Sequence, residues 1–270
     1  MEPPSRLQDR SLARRIVAAP RPHAAGAARA RVEDWLAEIA ATPAGATLRR
    51  LLADHPALAA LMTALADGSA YLWELGRADP ARLAALLEGE PQRSFDEMLA
   101  AARRATAAAG DDAEVMRALR RMKADAALLI GLADIGGVWP ITDVIAQQTA
   151  LADAAVGATV DYLVGEAQRR GRLQGSAPAR DSGYVVLAMG KMGAGELNYS
   201  SDVDLIVFYD PARLAAEAEP APFYVRLTRR LVKLLQERTP EGYVFRTDLR
   251  LRPDPASTQI AISTGAALDY

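Results

Sequence analysis

The stretch from Tyr184 to Asp210 constrains the fold more than any other part of the chain. An apolar run, Val185 to Met189, stops at Gly190-Lys191. A loop carrying Gly190, Gly193 and Gly195 leads to Ser200-Ser201-Asp202-Val203-Asp204, and a second apolar run, Leu205 to Tyr209, follows. Short apolar runs bounded by glycine and serine read as two buried strands joined by a loop. The second strand opens with two carboxylates, two residues apart. In a strand such residues point the same way and lie roughly 6.6 Å apart at Cα. Asp202 and Asp204 therefore share one face, where they repel each other unless a cation sits between them.

Composition narrows what that cation can be. There is no cysteine, which excludes disulfides, thiolate metal sites and cysteine nucleophiles. Only two histidines occur, His23 and His55, so a histidine-based metal site or triad is not expected. A metal here must rest on carboxylates, which favours Mg²⁺ or Mn²⁺ over Zn²⁺. The 270 residues are 50% hydrophobic with a formal net charge of -2, enough for a packed core in one large or two modest domains. That balance asks for neither nucleic acid nor a membrane surface as partner, and no apolar run approaches the roughly 18 residues that span a bilayer. Basic residues are almost all arginine; lysine occurs only at Lys123, Lys191 and Lys233, so a lysine inside the glycine loop is informative.

Ahead of this stretch the pattern is helical. Residues 1–30, rich in Arg, Pro and Ala with only Glu2 and Asp9 acidic, share features with an organelle transit peptide, but a poorly ordered tail is the expectation. Residues 31–171 read as a bundle of about six or seven helices from apolar spacings of three and four, as in Val32, Trp35, Leu36 and Ile39. Asp79-Pro80 is an N-cap followed by a proline at the first helical position. Ser94 to Glu97 matches a capping box, Asp111-Asp112 opens another helix, and Pro140-Ile141-Thr142 starts the last long one. His55 reads as a cap or surface residue, and Tyr71, Trp73 and Trp139 as core or interface. The domain expected over 172–270 begins with a linker to Ser182 and contains the two strands. A surface segment over Pro211–Pro222 and an amphipathic helix over Phe223–Arg238 follow. A turn at Pro240-Glu241-Gly242 leads to a third strand, Tyr243 to Leu251, alternating one apolar with one charged face. The fold class is therefore α+β: an all-helical bundle, then a sheet with flanking helices.

Asp248 lies mid-strand on that charged face and can be delivered to Asp202 and Asp204. Three converging carboxylates suit two divalent ions roughly 3.5–4 Å apart, which clamp the attacking and leaving oxygens of a phosphoryl or nucleotidyl transfer. The loop fits the same task. Glycines let backbone N–H groups approach a phosphate, Ser200 and Ser201 can donate to phosphate oxygens, and Lys191, Arg250 and Arg252 bring positive charge.

Gly190-Lys191 separated by ten residues from Asp202-Val203-Asp204 resembles the pattern of the DNA polymerase beta-like nucleotidyltransferases, with Lys191 where many members have Ser or Gly. More narrowly, Met189 to Gly193 together with Gly195 to Ile206 is similar to the signature of glutamine synthetase adenylyltransferase/adenylyl-removase. Arg246 to Pro253 is similar to that family's third-carboxylate strand. The resemblance implies a polymerase beta-like sheet, Asp202, Asp204 and Asp248 as metal-binding and catalytic carboxylates, and Gly190-Lys191 as the phosphate-side turn. It implies Mg²⁺ (two ions, Mn²⁺ as substitute), ATP or ADP and phosphate as substrates or products, and glutamine synthetase as partner. It also implies a nitrogen-signalling regulatory protein as a partner of other regions, and a bacterial cytoplasmic setting. The motif occurs once, after about 180 residues of helical sequence, which within that resemblance implies the half that removes AMP from tyrosine by phosphorolysis to ADP. The final residues, Ala267 to Tyr270, fall inside a segment expected to continue, so a truncated module is expected. Two other readings stay open: a non-catalytic fragment that only binds glutamine synthetase, nucleotide or regulator, and a nucleotidyltransferase acting on RNA, which the neutral charge weakens.

Overall fold

The computed structural model describes residues 10–174, 179–215, 219–252 and 254–269. Nine helices come first among these residues: α1 Leu12–Arg15, α2 Ala25–Glu38, α3 Pro43–Asp54, α4 Pro56–Gly68, α5 Ala70–Ala78, α6 Pro80–Glu88, α7 Pro91–Ala108, α8 Asp112–Ile135 and α9 Ile141–Arg169. There follow β1 Tyr184–Ala188, α10 Gly190–Gly193, β2 Val203–Tyr209, α11 Pro220–Gln236, β3 Thr247–Asp248, β4 Ile262–Ser263 and α12 Thr264–Leu268. The class is α+β, as expected. No helix among the described residues is long and apolar enough to cross a membrane. The chain divides into two compact units, one of residues up to Met98 with Ala124–Val144, the other of Leu99–Lys123 with Ile145 onward. The division does not fall at 171/172, where linker composition suggested it. A continuous helix such as α8 carries no composition break to mark such a boundary.

In the first unit the helices start where a side chain can satisfy their orphan N–H groups. Thr42 accepts from the Gly45 N–H at 3.0 Å, Ser69 from Leu72 at 3.3 Å, and Asp79 from Arg82 at 3.0 Å ahead of Pro80. The expected capping box does not form. α7 begins at Pro91, and the Glu90 carboxylate accepts from the N–H groups of Gln92 at 3.3 Å and Arg93 at 2.7 Å. Ser94 and Glu97 lie inside that helix, where Glu97 takes the Arg93 guanidinium at 2.7 Å. The core forms around edge-on aromatic pairs, Trp35 with Trp73 at 5.5 Å and Phe95 with Trp139 at 6.4 Å, while Tyr71 is 58% exposed. His55, between α3 and α4, makes no side-chain cap bond.

Residues 10–18 pack onto the first unit instead of forming a poorly ordered tail. Residues 1–9 lie outside the described residues, but Leu12, Ala13 and Ile16 are buried. The Leu12 N–H donates to the Gly89 carbonyl at 2.8 Å, and those of Val17 and Ala18 donate to the Gly136 carbonyl at 2.9 and 3.1 Å. Arginine-rich composition hid three apolar anchors.

In the second unit β1 runs antiparallel to β2 along its whole length, from Tyr184↔Tyr209 to Ala188↔Leu205. β3 and β4 each pair in parallel with β2, at its start and its end. α11 supplies the second layer: Tyr224, Leu227, Leu231, Leu234 and Leu235 are buried, each leucine stabilising by roughly 1.5–3 kcal/mol. Tyr224 stacks between Tyr209 at 4.3 Å and Tyr184 at 6.0 Å. The Tyr184 hydroxyl reaches Thr228 Oγ1 at 2.9 Å, and burial pushes it well above the usual phenol range.

The third strand is shorter than expected, Thr247–Asp248 instead of Tyr243 to Leu251. Alternation fails because consecutive Val244 and Phe245 are both buried. Their N–H groups both donate to the Leu235 carbonyl, at 2.9 and 3.1 Å, so this segment closes onto the end of α11 before it reaches the sheet. That closure is fastened from α8. Arg120 is 1% exposed and its guanidinium donates to the carbonyls of Met116 at 3.2 Å, Leu234 at 3.1 Å and Gly242 at 2.9 Å, and also to Glu237. One turn on, the Lys123 ammonium lies 4.2 Å from the Phe245 ring centre.

Candidate functional site

The site is built where β1 ends against the start of β2. The Met189 N–H donates to the Asp204 carbonyl at 2.8 Å, the last bond of the ladder. The chain then turns at Gly190, with φ +54°, into the single helical turn of α10. A Cβ at Gly190 would stand 2.5 Å from Asp204 Oδ2. Glycine is therefore required twice, for its left-handed backbone and for the close approach of the Asp204 carboxylate. Beyond the turn, Met192 and Leu197 are buried, and the Leu197 N–H donates to Thr149 of α9 at 3.2 Å. The loop expected from the glycines is thus a fixed turn anchored to a helix.

Asp204 and Asp248 are register partners across the parallel β2–β3 pair, so their side chains leave the sheet side by side on one face. Val203, Leu205 and Val207, which point the other way, are 0–1% exposed, whereas Val185 and Leu187 of β1, on the face of Asp204, are each 44% exposed. The carboxylates occupy the open face.

The remaining residues have specific partners. Asp202, exposed just before β2, is ion-paired with the Arg246 guanidinium, which also donates to the Ser200 carbonyl at 2.9 Å. Asp248 is clamped by Arg250: the Arg250 N–H donates at 2.7 Å, Nε at 2.9 Å and Nη2 at 2.5 Å. These bonds hold the Asp248 carboxyl below the usual carboxylate range. Ser200 takes a left-handed φ of 58° with its side chain exposed, and the Ser201 hydroxyl donates to Asn198 Oδ1. Lys191 is exposed on the turn.

Arg252, expected to contact phosphate, spends its donors on the carbonyls of Leu249 at 2.6 Å, Pro255 at 2.9 Å and Thr258 at 3.3 Å. It staples its own loop. Pro253 lies outside the described residues.

Among the described residues no three His, Asp or Glu side chains stand close enough together to hold a metal ion. Asp202 faces Arg246 instead of its two partners. The Arg250 guanidinium is raised first by its bonds to Asp248, and also by the charges of Asp202 and Asp204. Arg250 thus supplies positive charge at Asp248, and Arg246 supplies it at Asp202.

The family model for glutamate-ammonia ligase adenylyltransferase matches residues 58–270. The chain belongs to this family. Relatives carry the name bifunctional glutamine synthetase adenylyltransferase/adenylyl-removing enzyme. That of Rhodopseudomonas palustris strain BisB5 is 51% identical over 265 residues, 96% of this chain and 27% of the relative. That of Bradyrhizobium diazoefficiens is 51% identical over 265 residues, 96% of this chain and 26% of the relative. That of Xanthobacter autotrophicus is 52% identical over 230 residues, 83% of this chain and 23% of the relative. The chain spans about a quarter of the length of the curated relatives it matches. Within this adenylyltransferase-family module, sequence reasoning passed over Arg246 and Arg120. Arg246 sat in plain view on the expected charged face two residues from Asp248. Arg120 lies i+4 from Met116, on a stripe where an apolar residue is expected.

Proposed function

We propose that this module performs Mg²⁺-dependent nucleotidyl transfer on glutamine synthetase, removing AMP from an adenylylated tyrosine by phosphorolysis. The observation that carries the reading is the register pairing of Asp204 with Asp248 beside Gly190. Family membership and the names of the relatives support glutamine synthetase as the target; the removing direction rests on the resemblance described above.

The donors fit a hard divalent cation. They are carboxylate oxygens on adjacent strands, packed against a turn that glycine alone permits, with an arginine now supplying the positive charge. Asp204 and Asp248 would hold the ion, joined by Asp202 once it leaves Arg246. When bound, Mg²⁺ supplies charge neutralisation for the phosphoryl group in transfer. β2 and Gly190 fix the Asp204 carboxylate, so this ligand needs little reorganisation, whereas Asp248 and Asp202 must first give up Arg250 and Arg246. Arg250, 82% exposed at its side chain, can swing from Asp248 towards the phosphate on the open face. In the overall reaction a phosphate oxygen bonds to the AMP phosphorus, the phosphorus–tyrosyl oxygen bond breaks, and the tyrosyl oxygen takes a proton, giving ADP and free tyrosine.

Asp204→Asn keeps the side-chain shape and removes the charge. ADP release from adenylylated glutamine synthetase, phosphate and Mg²⁺ should fall by more than about 100-fold, the upper range for lesions that merely orient metal ligands. Wild-type turnover by that variant would reject the reading. Binding of glutamine synthetase without ADP release by the unaltered chain would instead favour a non-catalytic docking module.

A further inference from the structure

Beside the carboxylates lies a second feature, a basic groove along α11. Arg229, Val232, Lys233, Gln236 and Glu237 of and just after α11 line, with Arg246, a groove of about 460 Å³. Three cations face one carboxylate there. Glu237 pairs with Lys233 at 3.7 Å, and Arg229 has no ion pair among the described residues.

The end of a helix ordinarily repels anions through its unsatisfied carbonyls. Here the repulsion is reduced from the buried side, because Arg120 takes the carbonyls of Leu234 and Glu237. Arg246 joins the groove to the carboxylates: it lines the one while its guanidinium pairs with Asp202 of the other.

We propose that this groove is an oxyanion site for a phosphate group and that Arg246 couples its occupation to cation binding at Asp202. The coupling, though not the groove, rests on the divalent-cation reading given above. With Asp202 paired to Arg246, the arginine's charge is spent on the carboxylate. A cation on Asp202 releases the guanidinium, which already borders the groove and there adds a forked, two-donor contact suited to phosphate oxygens. Because both ligands bias one side chain, the effect is reciprocal: phosphate in the groove draws Arg246 away and frees Asp202 for the cation. The phosphate is either free inorganic phosphate or the terminal phosphate of a nucleoside diphosphate.

Calorimetric titration of the whole 270-residue chain with inorganic phosphate, and separately with ADP, each with and without Mg²⁺, tests both parts. Arg229→Ala and Lys233→Ala, exposed positions that should leave the fold intact, should each weaken the anion that binds by about tenfold. Weakening of phosphate identifies the free ion as the ligand; weakening of ADP with no phosphate binding identifies the nucleotide. Unchanged affinity for both anions, or no binding of either to the unaltered chain, would overturn the groove. Mg²⁺ should raise anion affinity about fivefold in the unaltered chain and not at all in Arg246→Gln; an equal enhancement in that variant would overturn the coupling. A chain that binds anion through Arg229 and Lys233 but never binds Mg²⁺ overturns the coupling and the nucleotidyl-transfer reading together, and leaves the groove standing.

Discussion

Replacing Gly190 by alanine would impose two separable penalties on the turn that seats Asp204. The left-handed backbone, φ +54°, costs an L-residue about 1–2 kcal/mol. The new Cβ would stand 2.5 Å from Asp204 Oδ2 and 3.4 Å from its Cγ, so the carboxylate must leave its rotamer at about 0.5–1.5 kcal/mol. Together Gly190→Ala should destabilise the second unit by about 1.5–3.5 kcal/mol and displace a proposed metal ligand. Gly195→Ala is the control: its φ is +73° but nothing lies within 4 Å of the added Cβ, so only the first penalty applies. All three tryptophans, Trp35, Trp73 and Trp139, lie in the first unit, so indole fluorescence would not report the change. Hydrogen exchange of peptides covering 184–209 would. Equal exchange in the two variants, with Mn²⁺ affinity unchanged in Gly190→Ala, would refute the close-approach argument.

Three further outcomes follow from the packing. Arg120→Met, which strands carbonyls of Leu234, Glu237 and Gly242, should cost about 3 kcal/mol by denaturant titration and loosen exchange over 234–248; a loss under about 1 kcal/mol would contradict its role as fastener. Burial pulls the Lys123 ammonium from 10.5 down to about 8. The unfolded chain therefore holds this proton more tightly, so the burial penalty is full below pH 8 and fades as pH rises towards 10.5. It amounts to at most about 3 kcal/mol, less what the Phe245 ring returns to the charged form. Stability measured from pH 7 to 10 should rise less in Lys123→Met than in the unaltered chain, and parallel curves would count against this. Glu90→Ala should cost about 1 kcal/mol and Ser94→Ala almost nothing; the reverse order would restore the capping box.

What could be read in advance was what chemistry and spacing dictate locally. β1, β2 and α11 were legible because each carries a strong apolar period ended by glycine or proline. Asp79-Pro80 was legible because cap and proline act within one turn. The errors arose where distant partners decide. Ser94 to Glu97 has the letters of a capping box, but Glu90 reaches the N–H groups first. Val244 and Phe245 fit a strand until α11 offers them Leu235. Leu12 and Ile16 are anchors only because Gly89 and Gly136 present carbonyls to their neighbourhood. At the site, the Asp202–Val203–Asp204 spacing and the placing of Asp248 beside Asp204 were readable, whereas the choice of arginine for each carboxylate was not. Arg246, Arg250 and Arg252 alternate alike in sequence, yet one pairs with Asp202, one with Asp248, and one holds only backbone.

Asp204 and Asp248 are proposed to act as one carboxylate pair for a divalent cation. Mn²⁺ titration followed by electron paramagnetic resonance tests it most directly, on the unaltered chain, Asp204→Asn, Asp248→Asn and the double variant. The unaltered chain should bind Mn²⁺, each single variant should lose at least about tenfold in affinity, and the double variant should be no worse than either, as expected for groups that work as a unit. Unchanged Mn²⁺ affinity in Asp204→Asn or in Asp248→Asn, or strictly additive losses in the double variant, would contradict it.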